Sequence, residues 1–484
     1  MTGTALLWFR ADLRLHDNPA LVAAASADEL LPVYVFDPRQ FGTAEYGGRK
    51  SFEFRKTGDW RVRFLRESVA DLRSSLRARG SDLRIEQGAA PAVLRRLVEE
   101  HDVDRLHYNA LPAPEERDRA RAVVDAVEDL GVDPRWAWGH TLYHPEDLPT
   151  RVDDIDDTYT PFRKKVEANA SVREPLDVPD VPPLPAGKER GADQGKLPPP
   201  AALDAAPAEY DDRGALAFEG GERAGLDRLQ AYVWERDLLR EYKETRNGLV
   251  GPDYSSKFSP WLATGCLSPR RIHEAVEAYE RERVANDSTY WLVFELLWRD
   301  FFQFQILKHG GRFLSPGGIR EREDIDWRRD EAAFERWAEG RTGVPFVDAA
   351  MRELAATGYV SNRARQNAAS FLANDCRIDW RWGAAHFETE LVDYDPCSNY
   401  GNWAYVAGVG NDSRDRAFDV VAQARRYDPE AAYVTRWCPE LAGLPPELAH
   451  APWTASTAER ERAGVELGVD YPRPMVDVDA GEGN

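Results

Sequence analysis

Nine of the 33 residues from 175 to 207 are proline. Proline fixes φ, removes an amide donor and restricts the residue before it, so neither a helix nor a central strand tolerates such a density. The chain therefore reads as two folded parts joined by an extended connection. Its length agrees, since 484 residues correspond to two to three domains at about 150 residues each.

Before the break the pattern alternates. Residues 5–9 and 31–36 are continuous apolar runs, as in strands buried on both faces, and 83–86 and 105–108 are shorter candidates. Within 60–79, Phe64, Leu65, Val69, Leu72 and Leu76 recur at helical spacing, and 91–100 and 115–130 are further helices. This predicts an α/β domain, a doubly wound parallel sheet, over 1–140. Residues 141–218 are expected to connect it to an all-α domain over 219–475. Helices are expected there at 226–240, 269–283, 290–308, 331–339, 345–357, 362–374 and 383–392. Eleven of the 15 tryptophans fall between Gly221 and Trp453. Residues 476–484 are acidic and are expected to fray.

The 84 acidic and 63 basic residues leave a net charge of −21, and only nine of the basic ones are lysine. This excludes a generally basic nucleic-acid binder but not a local basic groove. An acidic surface also suits strong salt, which screens repulsion from phosphates. Cys266, Cys376, Cys397 and Cys438 are at least 21 residues apart, so no C-x-x-C site exists and a reduced compartment is expected. No run approaches 18 apolar residues, and residues 1–10 lack a secretory pattern; a cytoplasmic protein is expected. No G-x-G-x-x-G, Walker or H-E-x-x-H motif occurs.

Four constellations could carry chemistry. Glu295 and Arg299 lie one turn apart on a helix apolar nearly all round. That is either an ordinary i,i+4 pair or a buried charge in need of a polar ligand. Asn362-Arg-Ala-Arg-Gln-Asn367 places polar donors at a helix start, suited to an anionic or carbonyl-rich ligand or simply to solvent. Asp393-Tyr-Asp395 pairs two carboxylates, for acid–base work or for capping, before a stretch with Asn399, Gly401 and Asn402 read as a loop. Tyr254-Ser-Ser-Lys-Phe-Ser-Pro260 is a polar loop whose hydroxyls and amides could hold phosphates.

Together these segments resemble the photolyase/cryptochrome family, most closely the DASH cryptochromes. The resemblance runs from Trp8-Phe-Arg-Ala-Asp-Leu-Arg-Leu-His-Asp-Asn18 to Trp437-Cys-Pro-Glu-Leu441. It includes Tyr242-Lys-Glu-Thr-Arg-Asn-Gly248, Phe294-Glu-Leu-Leu-Trp-Arg-Asp-Phe-Phe302 and Asp393-Tyr-Asp-Pro-Cys-Ser-Asn399. It implies FAD in the helical domain and an antenna pigment between the domains, usually 5,10-methenyltetrahydrofolate. By position, Tyr242, Ser255, Ser256, Phe258 and Ser259 would hold the FAD phosphates and ribityl chain. Arg365 would pair with Asp393 beside the isoalloxazine, Asp395 would meet the pyrimidine edge, and Asn399 would face N5. Trp403, Trp380 and Trp327 match the family's photoreduction chain; from sequence alone they would be core tryptophans.

For the substrate, the resemblance implies a cyclobutane pyrimidine dimer in DNA, extruded into the site. Glu295 would hydrogen-bond the thymine carbonyls and Trp298 would stack on the lesion. Arg299 would support Glu295 and the flavin, and Asn362 and Gln366 would face the dimer. The implied chemistry is light-driven: an electron passes from excited reduced FAD to the dimer, the ring opens, and the electron returns. Gln366 and Tyr405 stand where duplex-repairing members usually have Met and Trp, which implies a preference for single strands. Leu111 fills a position where DASH proteins usually place the Glu that grips the folate. The competing reading is a blue-light receptor with little repair activity. A locally positive rim including Lys257 and Arg363 is expected around the flavin cavity.

Overall fold

The computed structural model describes residues 3–46, 52–185, 194–412 and 417–478; the acidic end 479–484 lies outside them. The apolar runs become strands. β1 (Thr4–Phe9) is buried throughout and β2 (Glu29–Phe36) nearly so. A small antiparallel hairpin follows, β3 (Thr43–Tyr46) with β4 (Phe52–Arg55). β5 (Arg84–Gln87), β6 (Val103–Asn109) and β7 (Asp133–Ala137) complete a five-stranded sheet of order β5-β2-β1-β6-β7, parallel at every pairing.

Strand alternation sends successive side chains to opposite faces. Leu6, Trp8, Leu31 and Val33 pack under α3 (Ala90–His101) and α4 (Pro114–Glu128). Ala5, Leu7 and Phe9 join the main core with α1 (Pro19–Ala24) and α2 (Asp59–Ala78). Helices thus cover both faces, as the doubly wound reading requires. The periodicity missed β7. It is an edge strand in which Pro134 is tolerated and Trp136 is 63% exposed, so it carries no buried run.

The connecting stretch carries α5 (Tyr159–Asn169). The helical half follows: α6 (Glu222–Gln230), α7 (Tyr242–Thr245), α8 (Ser259–Ala263), α9 (Pro269–Glu282), α10 (Asp287–His309), α11 (Glu331–Ala338), α12 (Pro345–Thr357), α13 (Asn362–Ser370), α14 (Trp380–Glu390) and α15 (Pro396–Val406). Two expectations are corrected. The helix expected at 226–240 ends in a wide turn at Ala231–Glu235, before Asp237 at φ 54°. The Asp237 carboxylate there accepts from Tyr279 Oη at 2.6 Å and Arg283 at 2.8 Å. The presumed loop after Asp395 is helix α15. Asp395 Oδ1 caps it by accepting from Ser398 N at 2.6 Å, and Pro396 opens the first turn. Gly401 sits inside this helix because a Cβ there would lie 2.3 Å from Phe302 Cδ1.

Buried polar contacts clamp the halves. Arg14, 1% exposed, donates to Gly139 O and Asp17 O at 2.9 Å and to Gly265 O at 2.8 Å. Arg270 pairs with Asp17 at 2.5 Å. All four cysteines are buried and unpaired. Among the described residues no helix is long and apolar enough to cross a membrane.

The net charge of −21 makes surface self-repulsion a destabilising contribution. Tm should therefore rise as KCl increases from about 0.1 M to about 1 M and the screening length falls from roughly 10 to 3 Å. Calorimetry across that range checks this; a flat or falling Tm would count against it.

Candidate functional site

Helices α10, α13 and α15 and the loop before α8 enclose a cavity of about 480 Å³ with an adjoining recess of about 80 Å³. Tyr242, Ser255, Ser256, Phe258, Ser259, Glu295, Trp298, Arg299, Asn362, Arg365, Gln366, Asp393 and Tyr405 all line the larger space. Asp395, Asn399 and Trp403 line the recess. Trp380 and Trp327 lie outside both. Residues scattered over more than 160 positions are thus gathered by folding.

The loop at one end has an unusual backbone. Ser255 and Lys257 take φ of 54° and 57°, and Phe258 returns to the right-handed region at φ −77°, ψ −10°. Such left–right alternation turns successive amide N–H groups toward one point, which is how backbone cradles anions. Lys257 lines the cavity, as expected, but not as an exposed positive rim. It is 1% exposed, and its Nζ donates to Tyr254 O and, at 3.3 Å, to Pro252 O. Burial, aided by nearby Arg228, lowers its pKa to about 6. It fixes the loop from inside rather than facing solvent. Arg363 does line the cavity, donating to Asn247 Oδ1 at 3.1 Å and lying over the Tyr427 ring.

Arg365 and Asp393 pair as expected, at 2.9 Å, and Ser259 Oγ donates to the same carboxylate oxygen at 2.6 Å. The other oxygen, Asp393 Oδ1, is buried without a partner. An orphaned buried acceptor calls for a donor, here an N–H or O–H from whatever fills the cavity. Asp395 is held by Gln303 Nε2 at 2.9 and 3.0 Å as well as by its capping bond. Burial would raise its pKa, but His140 and the Arg299 charge outweigh that and hold it well below the carboxylate range. Asn399 Nδ2 donates to Ala384 O at 2.9 Å, which fixes its amide beside the recess.

Glu295 does not pair with Arg299. Its carboxylate meets Arg246, a residue inside the quoted 242–248 motif that was not singled out. Burial raises the Glu295 pKa, with Arg246 opposing. Arg299 turns the other way, donating to His140 O at 2.5 Å and Leu262 O at 3.4 Å, with His140 Nε2 at 2.8 Å and Asp395 at 3.9 Å. Residues four apart on a helix are neighbours, but here the surrounding fold offers each charge another partner. Trp327 and Trp380 donate to the same carbonyl, Pro316 O, at 3.2 and 3.1 Å. Trp403 packs edge-on to Trp337 with centroids 6.0 Å apart, and its ring fills the space that a side chain at Gly383 would need.

Two family models match the chain: "DNA photolyase" over residues 5–185 and "FAD binding domain of DNA photolyase" over 291–483. The cryptochrome DASH of Natronomonas pharaonis is 58% identical over 478 residues, 99% of this chain and 98% of that one. The chain belongs to the photolyase/cryptochrome family. The crystal structure of the Synechocystis sp. PCC6803 cryptochrome superposes with a TM-score of 0.93 at 47% identity, covering 99% of this chain and 97% of that one. A bacterial class III photolyase from Agrobacterium tumefaciens superposes at 0.83 with 31% identity, covering 99% and 95%. The family's cofactor is FAD, and the cavity fits it. The anion-cradling loop suits a pyrophosphate, and the orphaned Asp393 oxygen suits a ring or ribityl donor.

Lys257 generates a prediction. Its pKa is lowered in the folded state, so above about 6 the unfolded chain binds the extra proton. Flavin-free protein should therefore gain stability from this group as pH rises from 6 toward 10, and Lys257→Met should remove that gain. Denaturant titrations of both proteins across this range check it.

Proposed function

We propose that this protein uses blue light to repair cyclobutane pyrimidine dimers, preferentially in single-stranded DNA. The observation that carries the reading is that Glu295, Trp298, Asn362 and Gln366 share one cavity with the residues suited to FAD. Substrate and cofactor would therefore meet with no protein between them.

FAD, when bound and reduced, supplies the photoexcited electron that opens the cyclobutane ring and is then recovered. The chain's own groups do the rest. Arg365 would hold a positive charge beside the isoalloxazine, positioned by Asp393 and Ser259. Burial raises the Glu295 pKa while Arg246 opposes it; in its protonated form the carboxyl would donate a hydrogen bond to a thymine carbonyl, where negative charge develops as the ring opens. Arg246 would keep that carboxyl oriented. Asn362 and Gln366, one turn apart on α13, present amides from the opposite wall. Trp298 offers an indole face to an extruded base. Gln366 and Tyr405 are the features that favour single strands, from which extrusion costs less.

An antenna pigment is the second part of the reading. A separate pocket of about 170 Å³ opens outside the carboxyl ends of β1, β2 and β6, walled by both halves. Bound groups favour such positions in open parallel sheets. Arg10 lines it with a buried, unpartnered Nη1, and Leu111 lies in its wall. Chromatography of pigments released from purified protein tests whether methenyltetrahydrofolate is among them.

Repair under blue light with reductant, on matched single- and double-stranded oligonucleotides, tests the main reading. Single-strand repair far above duplex repair is expected. No repair of either by flavin-loaded, photoreducible protein would favour the receptor. Glu295→Ala should lower repair roughly 10- to 100-fold, as for a lost hydrogen bond to developing charge, with FAD retained. Loss of flavin instead would make Glu295 structural. Trp327→Phe should slow photoreduction while sparing repair by chemically reduced protein; unchanged photoreduction would remove Trp327 from the electron path.

A further inference from the structure

We propose that Tyr159 is a positioning residue for the substrate: its ring stacks flat on the indole of Trp298 and holds that indole in the cavity wall. The inference rests on the reading of Trp298 as the lesion-stacking side chain.

Tyr159 is the first residue of α5, in the stretch that joins the two halves. Its ring stacks on Trp298 with centroids 3.6 Å apart and planes 13° apart. It is itself fixed. Its hydroxyl donates to Phe294 O at 2.9 Å, and it meets Phe294 and Phe301 edge-on at 5.2 and 5.6 Å. It is 6% exposed. Phe301 and Tyr405 meet the Trp298 indole nearly perpendicular, at 86° and 83°. Phe302 lies tilted to the indole at 34° with centroids 5.6 Å apart. Among these four rings only Tyr159 lies flat against Trp298, which lines the cavity one turn from Glu295.

A parallel stack resists rotation of the indole about its side-chain torsions. A base arriving from the cavity then finds a flat, preset surface rather than one it must organise, which is worth affinity rather than chemistry. With Tyr159 removed, the space behind the indole opens and the ring can tilt back into it. The effect should fall on binding and leave the light step per bound dimer unchanged.

The test is a double-mutant cycle on dark binding of an oligonucleotide carrying one cyclobutane thymine dimer, using flavin-loaded protein. Tyr159→Leu should weaken binding about tenfold, the order of an aromatic pair. It should have little further effect in a Trp298→Ala background. Tyr159→Phe, which keeps the ring and loses the hydroxyl, should bind within about twofold of the parent. Repair yield at saturating oligonucleotide should be equal in Tyr159→Leu and the parent. Tyr159→Met replaces Tyr159→Leu if the latter does not take up flavin. Additive effects, unchanged binding in Tyr159→Leu, or a Tyr159→Phe defect as large as the Leu one would overturn the proposal. Unchanged binding in Trp298→Ala would overturn it together with the stacking role of Trp298. A parent that binds the dimer but does not repair it would overturn the repair reading alone, because the cycle is read in the dark.

Discussion

From Leu292 onward helix α10 has no exposed residue, and the polar side chains it buries there need partners from elsewhere in the fold. Asp300, fully buried, accepts from the amides of Leu142 and Tyr143 at 2.9 and 2.8 Å. Burial pushes its pKa up to about 7, so the backbone donors decide whether it can stay charged. Gln303 is spent on Asp395, Gln305 on Asp156 O and Arg299 on His140. These partners are His140 at the end of the α/β half, Leu142, Tyr143 and Asp156 of the connecting stretch, and Asp395, the cap of α15. Satisfying the polar residues of one helix therefore pins the exit from the α/β half and the far wall of the cavity to the same rod.

That constraint explains how the cavity is divided. Arg299 and Gln303 are consumed in holding His140 and Asp395; His140 lines the pocket at the sheet edge, and Asp395 lines both that pocket and the recess of the larger cavity. Glu295 and Trp298 line the same cavity as Arg299, Glu295 paired with Arg246 and Trp298 stacked on Tyr159. A net charge of −21 is compatible with this arrangement, since the cavity is walled by Arg246, Arg299, Arg363 and Arg365. Fixed local cations raise the local potential whatever the total charge.

Much of this was legible beforehand. The alternating runs announced a parallel sheet, and the tryptophan-dense helical period announced the second half, because burial on both faces of a strand or all round a helix leaves a one-dimensional trace. The Arg365–Asp393 pair was also legible, through the motifs that carry them. Other features left no such trace. Strand β7 is exposed and contains proline. Helix α15 contains glycine and asparagines, and its identity depends on the Asp395 cap and on Phe302 pressing against Gly401. The partners of Glu295 and Arg299 left no trace because spacing along a helix says which side chains are neighbours, not which neighbour offers the better hydrogen bond; Lys257 lies in a loop, where sequence does not say which way a side chain turns.

The sequence by itself determined the two-part architecture and, through its ordered motifs, the family. These depend on residue types, periods and order, all of which are local. Only the tertiary structure decided that Glu295 answers to Arg246, that Lys257 is an internal strut, and that Tyr159 from the connecting stretch lies flat against Trp298. Those outcomes depend on which groups folding brings within about 4 Å of one another out of water, where a hydrogen bond or a stacked ring outweighs proximity along the chain.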